Sequence, residues 1–175
     1  MKNKILIFII SIISNILFLH STTFAEVISV NTTISTDTTY SSLTVTNGAT
    51  LTLNAVLTVT GDATVETGGN ITHTAGASTN FLLDVAGTLT INSGGKIDVS
   101  QKGTSTLGSG GQYGGSTYGG FGVSNSKAAY GDLYNPIHVG SNALTNGGGL
   151  VRITAGNIVN NGSILANSSG TSNST

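Results

Sequence analysis

Residues 43–74, LTVTNGATLTLNAVLTVTGDATVETGGNITHT, alternate threonine with aliphatic residues and break the alternation only at pairs such as Asn-Gly, Gly-Asp and Gly-Gly. A period of two places successive side chains on opposite faces of a strand, so that one face is aliphatic and the other is rich in threonine. β-Branched threonine suits the outer face of a pleated strand. Glycine and asparagine permit the left-handed backbone of tight corners. The stretch therefore predicts strands of about five residues joined by short corners.

The alternating stretch also repeats itself. LTVT at residue 43 recurs as LTVT at residue 57 and as ITHT at residue 71, so that the spacing between copies is constant. Further along the chain, VAGTLTINSGGKIDVS (85–100) resembles TAGNIVNNGSILANSS (154–169). Repeats of this kind are typical of solenoids, in which each coil buries its apolar face against the next coil.

These patterns predict an all-β protein folded as a right-handed parallel β-helix, or β-solenoid, with a long glycine-rich loop insert. A coil of three strands takes about 20 residues. The roughly 100 residues outside the predicted insert would therefore form about five such coils. The 14-residue period of the repeat favours a coil of two strands instead, and the sequence leaves both coil types open. Antiparallel hairpins, with Asn47-Gly48 as a two-residue turn, are a further alternative. Connections of similar length and inward residues of the same character favour parallel stacking.

Residues 1–25 have the three parts of a secretory signal peptide. A basic MKNK start precedes an apolar run from Ile5 to Leu19, and Thr23 and Ala25 occupy the small-residue cleavage positions. A membrane anchor is the alternative, but it requires about 20 apolar residues. We therefore expect cleavage near Ala25, secretion to the extracellular space or cell surface, and no membrane insertion of the mature chain.

The mature chain divides by composition into three parts. Residues 26–100 contain the predicted N-terminal cap and solenoid coils, and residues 150–175 a further coil that we expect to continue in a longer protein. Residues 101–149 form the predicted insert, in which glycine and tyrosine replace the aliphatic residues. Inserts of this length are usually functional or disordered. We expect residues 103–128 to be mobile and sensitive to proteases, and the second half of the insert to be partly ordered.

Composition excludes several partners and functions. Charged residues make up 7% of the chain and the formal net charge is −1. Without a basic field, the protein is not expected to bind nucleic acid. The chain has no cysteine, so that stacking of coils, rather than disulfide bonds, must stabilise it.

Few residues are candidates for chemistry. Carbohydrate-active β-helices require clustered carboxylates or an adjacent base. Asp84, Asp98 and Arg152 alternate with aliphatic residues and should therefore point outward, where they form a small charged patch if their coils stack in register. Solubilising surface charge is the simpler interpretation.

The histidines are also weak candidates. His73 takes the place of Val45 and Val59 in the repeat, which predicts a buried ring hydrogen-bonded to a corner carbonyl. His138 stands alone in the insert, and no cysteine accompanies either ring. We therefore predict no catalytic residue, no cofactor and no metal site.

The threonine pairs suggest a different activity. Flat arrays of outward threonines form the binding face of some ice-binding solenoids, and threonine pairs recur here once in each copy of the repeat. The pairs are Thr44/Thr46, Thr58/Thr60 and Thr72/Thr74. Ice binding is therefore an alternative, although threonine is also simply a favourable strand residue.

Nearly all of the mature chain resembles bacterial secreted parallel β-helix proteins of the adhesin-like and autotransporter-passenger type. The resemblance rests on DTTYSSLTVTNGATLTL, on VAGTLTINSGGKI, and on a tyrosine-glycine insert followed by GGGLVRITAGNIVNNGSILANS. It implies an extracellular or surface location and attachment to other surfaces. One departure is that autotransporters end in a membrane barrel of longer alternating strands, whereas nothing after Ile164 has that pattern.

The sequence thus predicts a non-catalytic structural or adhesive surface module with an unknown surface or glycan ligand. The alternative is the N-terminal part of a carbohydrate-active β-helix enzyme whose catalytic residues lie outside this chain. End-to-end self-association is a further expectation. Ile153, Ile158 and Ile164 would form the last apolar cross-section, and the tail NSSGTSNST has no apolar residue to cover it.

Overall fold

The computed structural model describes residues 23–76, 81–104, 131, 134, 137–141 and 146–169. Regular structure in these residues consists of short strands, and no helix occurs among them. The strands are β1 (Ala25–Ile28), β2 (Thr32–Ile34), β3 (Thr38–Tyr40), β4 (Ser42–Val45), β5 (Thr50–Leu53), β6 (Val56–Val59), β7 (Ala63–Val65), β8 (Asn70–Thr72), β9 (Leu82–Ile91), β10 (Lys96–Asp98), β11 (Ile153–Asn160) and β12 (Ser163–Leu165).

The strands stack on three sides of a solenoid-like body, and the pairs between these named strands are parallel. The first side consists of β1, β4, β7, residues 88–91 of β9 and residues 157–160 of β11. The second side consists of β2, β5, β8, β10 and β12. The third side consists of β3, β6, residues 82–85 of β9 and residues 153–155 of β11. The predicted parallel stacking is confirmed, and the hairpin alternative is wrong.

One turn of the chain passes all three sides. Val45 pairs with Val65, and the side chain of Asn54 donates to that of Thr74, so that a turn takes 20 residues here. The two-strand coil predicted from the shorter repeat is therefore wrong. One repeat covers about two of the three sides, and the copies at residues 43, 57 and 71 consequently fall on the first, third and second sides. They resemble one another because every side presents the same alternating pattern to one shared core.

Later turns are longer. Val59 pairs with Val85, and a hydrogen bond between Asp62 and Thr88 spans the same turn of 26 residues. Ile97 pairs with Ile164, and a hydrogen bond between Ser100 and Asn167 spans that turn of 67 residues. The longest turn contains the predicted insert, but residues 105–130 lie outside the described residues, as do residues 1–22 of the predicted signal peptide. The domain boundaries and the protease sensitivity of residues 103–128 therefore stay predictions.

The inward positions form a continuous apolar core. The alternation predicts that the aliphatic face is buried, and this is confirmed, because six residues of that face are at most 1% exposed: Leu51, Leu53, Leu57, Val59, Val65 and Ile71. Among the outward threonines, Thr52, Thr58 and Thr64 are half-buried, Thr60 is exposed as predicted, and Thr72 is buried. Strands about 4.8 Å apart place outward side chains close enough to cover one another's flanks.

Glycine corners stack in a column of their own. Gly48, Gly68 and Gly94 have φ angles of +80°, +78° and +81°, the left-handed conformation expected at these corners. The amide of Gly48 donates to the carbonyl of Gly68 at 3.2 Å, and the amide of Gly68 donates to the carbonyl of Gly94 at 3.0 Å. Hydrogen bonding between turns therefore continues through the corners.

The two ends of the described stack differ. Ile158 and Ile164 face inward in the last turn, yet they are 46% and 39% exposed. Their partners one turn earlier, Leu89 and Ile97, are fully buried. Ile153, which was also predicted in this cross-section, is half-buried. In the first turn, by contrast, the inward residues Ile28 and Ile34 are buried.

Candidate functional site

Two features of the described residues are candidates for function: outward rows of polar side chains, and a buried histidine that holds the chain returning from the longest turn. The clearest row lies on the first side. Thr44 pairs with Thr64, and Thr64 pairs with Thr90, so that three threonines stack in register on neighbouring strands. Each lies between two buried residues and therefore points outward. We call these three residues the threonine row.

The threonine row is not the array that the sequence repeat predicted. Thr44, Thr58 and Thr72 lie on three different sides, because the repeat is shorter than a turn. The hydroxyl of Thr72 also donates to the carbonyl of Asp98 at 2.7 Å, and that of Thr46 donates to the carbonyl of Ile28 at 3.1 Å. These two hydroxyls therefore fasten neighbouring turns together.

Polar side chains at the corners have a similar structural role, which the sequence analysis missed. The carboxylate of Asp62 accepts a hydrogen bond from the amide of Thr88 at 2.8 Å. The carboxylate of Asp37 accepts one from the amide of Val56 at 3.0 Å. Each partner lies one turn ahead: Val56 begins β6, and Thr88 begins the first-side segment of β9, so that these carboxylates satisfy backbone donors where the chain enters a side. The only signal in the sequence is an aspartate placed at a corner.

The three charged residues predicted to form a patch are divided between two sides. Asp84 lies on the third side, where it pairs with Thr58 and Thr154, and Arg152 directly precedes the third-side segment of β11. Asp98 lies on the second side, so the three-residue patch does not form. The Lys96 ammonium is 3.2 Å from the Asp98 carboxylate.

The local contacts of Asp98 change the pKa of its carboxyl. Burial opposes ionisation, but hydrogen bonds from Ser100 and the ammonium of Lys96 outweigh burial, so that the pKa of the Asp98 carboxyl is lowered. Among the described residues, no group of three His, Cys, Asp or Glu side chains is placed to hold a metal ion.

His73 is buried, with 2% of its surface exposed, as its place in the repeat predicted. Its Nδ1 lies 2.8 Å from the carbonyl oxygen of Thr74, which confirms the predicted bond to a corner carbonyl. Its Nε2 lies 3.1 Å from the backbone nitrogen of Leu150. Because a backbone N–H can only donate, Nε2 must accept, and Nδ1 must carry the proton that Thr74 accepts. The ring is therefore the neutral Nδ1–H tautomer.

Phe81 and Gly149 both pack against the His73 ring. The Phe81 ring lies at a centroid distance of 5.9 Å and a tilt of 57°. A Cβ atom on Gly149 would overlap Nε2 of His73 and would lie 2.7 Å from the carbonyl oxygen of Val99. Only glycine at position 149 therefore allows Leu150 to reach the ring. We call His73, Gly149 and Leu150 the histidine junction.

Backbone hydrogen bonds connect the histidine junction to the start of the longest turn. Gly149 donates to the carbonyl of Val99 at 2.8 Å, and Gly103 donates to the carbonyl of Gly147 at 2.8 Å. An open cavity of about 410 Å³ adjoins this contact. Its lining residues are His138, Gly140, Gly148, Gly149, Leu150, Val151 and Ala166. No local pattern in the sequence indicates this contact, because Leu150 is 77 residues from His73.

The geometry places the described chain in a broad class, an all-β protein built as a solenoid-like stack of parallel strands. Comparisons with protein-family models, with curated proteins and with solved structures gave no match. In the described part of the chain, no helix has the length and hydropathy to cross a bilayer.

Proposed function

We propose that the protein is a non-catalytic secreted or cell-surface module with a structural and adhesive role, wound as a right-handed parallel β-helix. The threonine row is the observation that carries this proposal. It presents three hydroxyl and methyl groups at the regular spacing of stacked strands, about 4.8 Å. The winding sense follows the strong right-handed preference of parallel crossover connections.

The chemistry of the lateral surface favours an uncharged ligand that also repeats. Threonine hydroxyls donate and accept hydrogen bonds, and their methyl groups offer small apolar contacts. A polymeric glycan combines hydroxyl groups with apolar ring faces at a regular spacing. The first side therefore binds glycan on another surface, and the protein attaches by many weak contacts that act together.

A binding experiment tests this function. The intact protein, labelled with a fluorophore, is incubated with cellulose, chitin and mannan particles, and retained fluorescence is measured against concentration. Thr64→Lys, in the middle of the threonine row, should weaken binding by about tenfold or more. Thr58→Lys, a half-buried outward position on the third side, is the matched control and should bind like the wild type.

The same incubations distinguish the alternative enzyme function. Saturable binding without release of reducing ends supports an adhesive module. Release of soluble reducing sugars by the intact protein would instead assign it to carbohydrate-active enzymes. Absence of binding to all three polymers, or equal loss of binding in the Thr64 and Thr58 variants, would contradict the role proposed for the threonine row.

Ice binding is a second candidate, because the threonine row provides a new basis for it in place of the array predicted from the repeat. Its three threonines are in register, as a lattice-matched surface requires. Thermal hysteresis of the intact protein is the test. A freezing-point depression that Thr64→Lys abolishes and Thr58→Lys preserves would favour ice over glycan as the ligand.

Secretion is tested separately. Antibody detection of the protein in culture supernatant or on intact cells, with an N-terminus at Glu26, would support export by a cleaved signal peptide. A protein confined to the cell interior that still begins at Met1 would contradict it.

A further inference from the structure

The histidine junction joins two parts of the chain that are far apart in sequence. His73 follows β8 of the solenoid, whereas Gly149 and Leu150 belong to the segment that returns from the longest turn just before β11. We define residues 146–151 as the return segment. We propose that His73 is a pH-operated clip, which holds the return segment against the solenoid at neutral pH and releases it in acid.

Protonation removes the acceptor on which the junction depends. The neutral ring accepts the Leu150 N–H at Nε2, and its Nδ1–H donates to the Thr74 carbonyl. In the imidazolium form both ring nitrogens carry protons, so that Nε2–H would face the N–H of Leu150. Two donors cannot bond to each other, and a buried donor without a partner is costly.

The residues packed against the His73 ring prevent a small movement of the ring that would separate Nε2–H from the N–H of Leu150. Gly149 lies directly against Nε2, and Phe81 lies beside the ring. Rotation of the ring would also break the bond to Thr74. Movement of Leu150 away from the ring is therefore the available response to protonation.

The charges near His73 also oppose protonation. Burial is the largest effect and lowers the pKa of His73; the positive charge of Lys102 lowers it further, while the bond to Thr74 acts in the opposite direction. The carboxylate of Asp98 instead accepts hydrogen bonds from Lys96 and from the amide of Ser100. Among the described residues, Phe81, Gly149 and Leu150 also contact the ring, and all three are uncharged.

The direction of the pH dependence follows from this lowered pKa. The His73 ring binds a proton less tightly than a histidine whose pKa has its ordinary value of 6.5. Its contribution is therefore complete above pH 6.5 and is lost as the pH falls from 6.5 through the lowered pKa. The pairing of β5 with β2 and β8 does not include the return segment, so the return segment opens locally while this part of the stack stays folded.

Amide hydrogen exchange of the intact protein between pH 7.5 and 4.5 tests the clip. After correction for the pH dependence of the exchange chemistry, the protection factor of the Leu150 amide should fall by up to about tenfold per pH unit within the window. The amide of Leu53, within β5, is the internal reference and should keep its protection. Unchanged protection of Leu150 over this range would overturn the proposal.

Two variants assign the effect to His73. His73→Gln provides one donor and one acceptor but does not titrate in this range, so Leu150 protection should become independent of pH. His138 is a histidine that lines the neighbouring cavity without contacting Leu150 through its ring in the way His73 does, which makes His138→Gln the matched control. That variant should keep the wild-type response. A pH response that persists in His73→Gln, or disappears in His138→Gln, would contradict the assignment.

A measurement on the unmodified protein keeps the test decisive if His73→Gln does not fold. Ring ¹⁵N chemical shifts should show the Nδ1–H tautomer of His73 at pH 7.5 and a titration midpoint below 6.5. Loss of Leu150 protection should follow that titration. A midpoint at or above 6.5, an Nε2–H tautomer, or a loss of protection that does not track the ring would each refute the clip.

Discussion

Replacing Leu53 by aspartate tests the packing of the solenoid at one fully buried position. Leu53 ends β5, is 0% exposed, and pairs with Ile34 of the preceding turn. Truncation of such a leucine to alanine alone costs about 2–5 kcal/mol, because the surrounding turns cannot collapse onto the space. A carboxylate without a partner in an apolar interior adds several kcal/mol.

The total of these costs is comparable with the entire stability of a typical domain, about 5–15 kcal/mol. Because each turn is stabilised by its neighbours, Leu53→Asp should separate the turns on either side and not merely loosen one strand. We therefore expect loss of the strand signal in circular dichroism at ambient temperature. Leu53→Ala should remain folded with a lower melting temperature.

Thr52, next to Leu53 in β5, provides a control for the effect of introducing a negative charge. Thr52→Asp places the same carboxylate on the outer face of the same strand, where water can solvate it. Its effect on the free energy of unfolding should be about 1 kcal/mol or less. The reasoning would be refuted if Leu53→Asp kept the strand signal and melting temperature of the wild type, or if Thr52→Asp were equally damaging.

Three other perturbations give distinct results. Gly149→Ala should abolish Leu150 protection at every pH, because its Cβ overlaps His73. Gly48→Asn, at a left-handed corner that asparagine tolerates better than other side chains, should leave Leu150 protection unchanged. Equal protection of Leu150 in both variants would argue against the overlap. Limited proteolysis should cleave residues 103–128 before any strand, and cleavage within the strands first would contradict a mobile insert. The intact protein should associate through the exposed Ile158 and Ile164, and sedimentation analysis should show that Ile158→Asn weakens association; a wild type that remains monomeric at all concentrations would oppose this.

The features that the sequence predicted correctly depend on local alternation of residues and on turn residues. Strands, inward columns and left-handed corners depend on neighbouring residues, and Leu51, Ile71 and Gly48 were identified by alternation and turn chemistry alone. The burial of His73 followed from the same alternation. These features need no knowledge of how one turn meets the next.

Features that depend on the length of a turn were not predictable in the same way. The sequence repeat placed Thr58 beside Thr44, whereas the longer turn of the structure places Thr64 there. Because the length of a turn was not known from the sequence, Asp98 was grouped with Asp84 and Arg152, which do not lie on its side. The contact of His73 with Leu150 spans the longest turn, and no local pattern links those two residues.

The unequal lengths of the turns also have an evolutionary consequence. Between β10 and β12 the chain takes 67 residues to complete a turn that needs only 20 residues between β5 and β8, yet Ile97 and Ile164 still pair in register. Closing the longer connection costs only about 1 kcal/mol more by polymer statistics. This corner can therefore exchange one insertion for another of different length and composition while the stack is preserved. Solenoids of this kind can diversify within such a turn in the way that a scaffold carries grafted loops, because the length of the connection does not alter the pairing of Ile97 with Ile164.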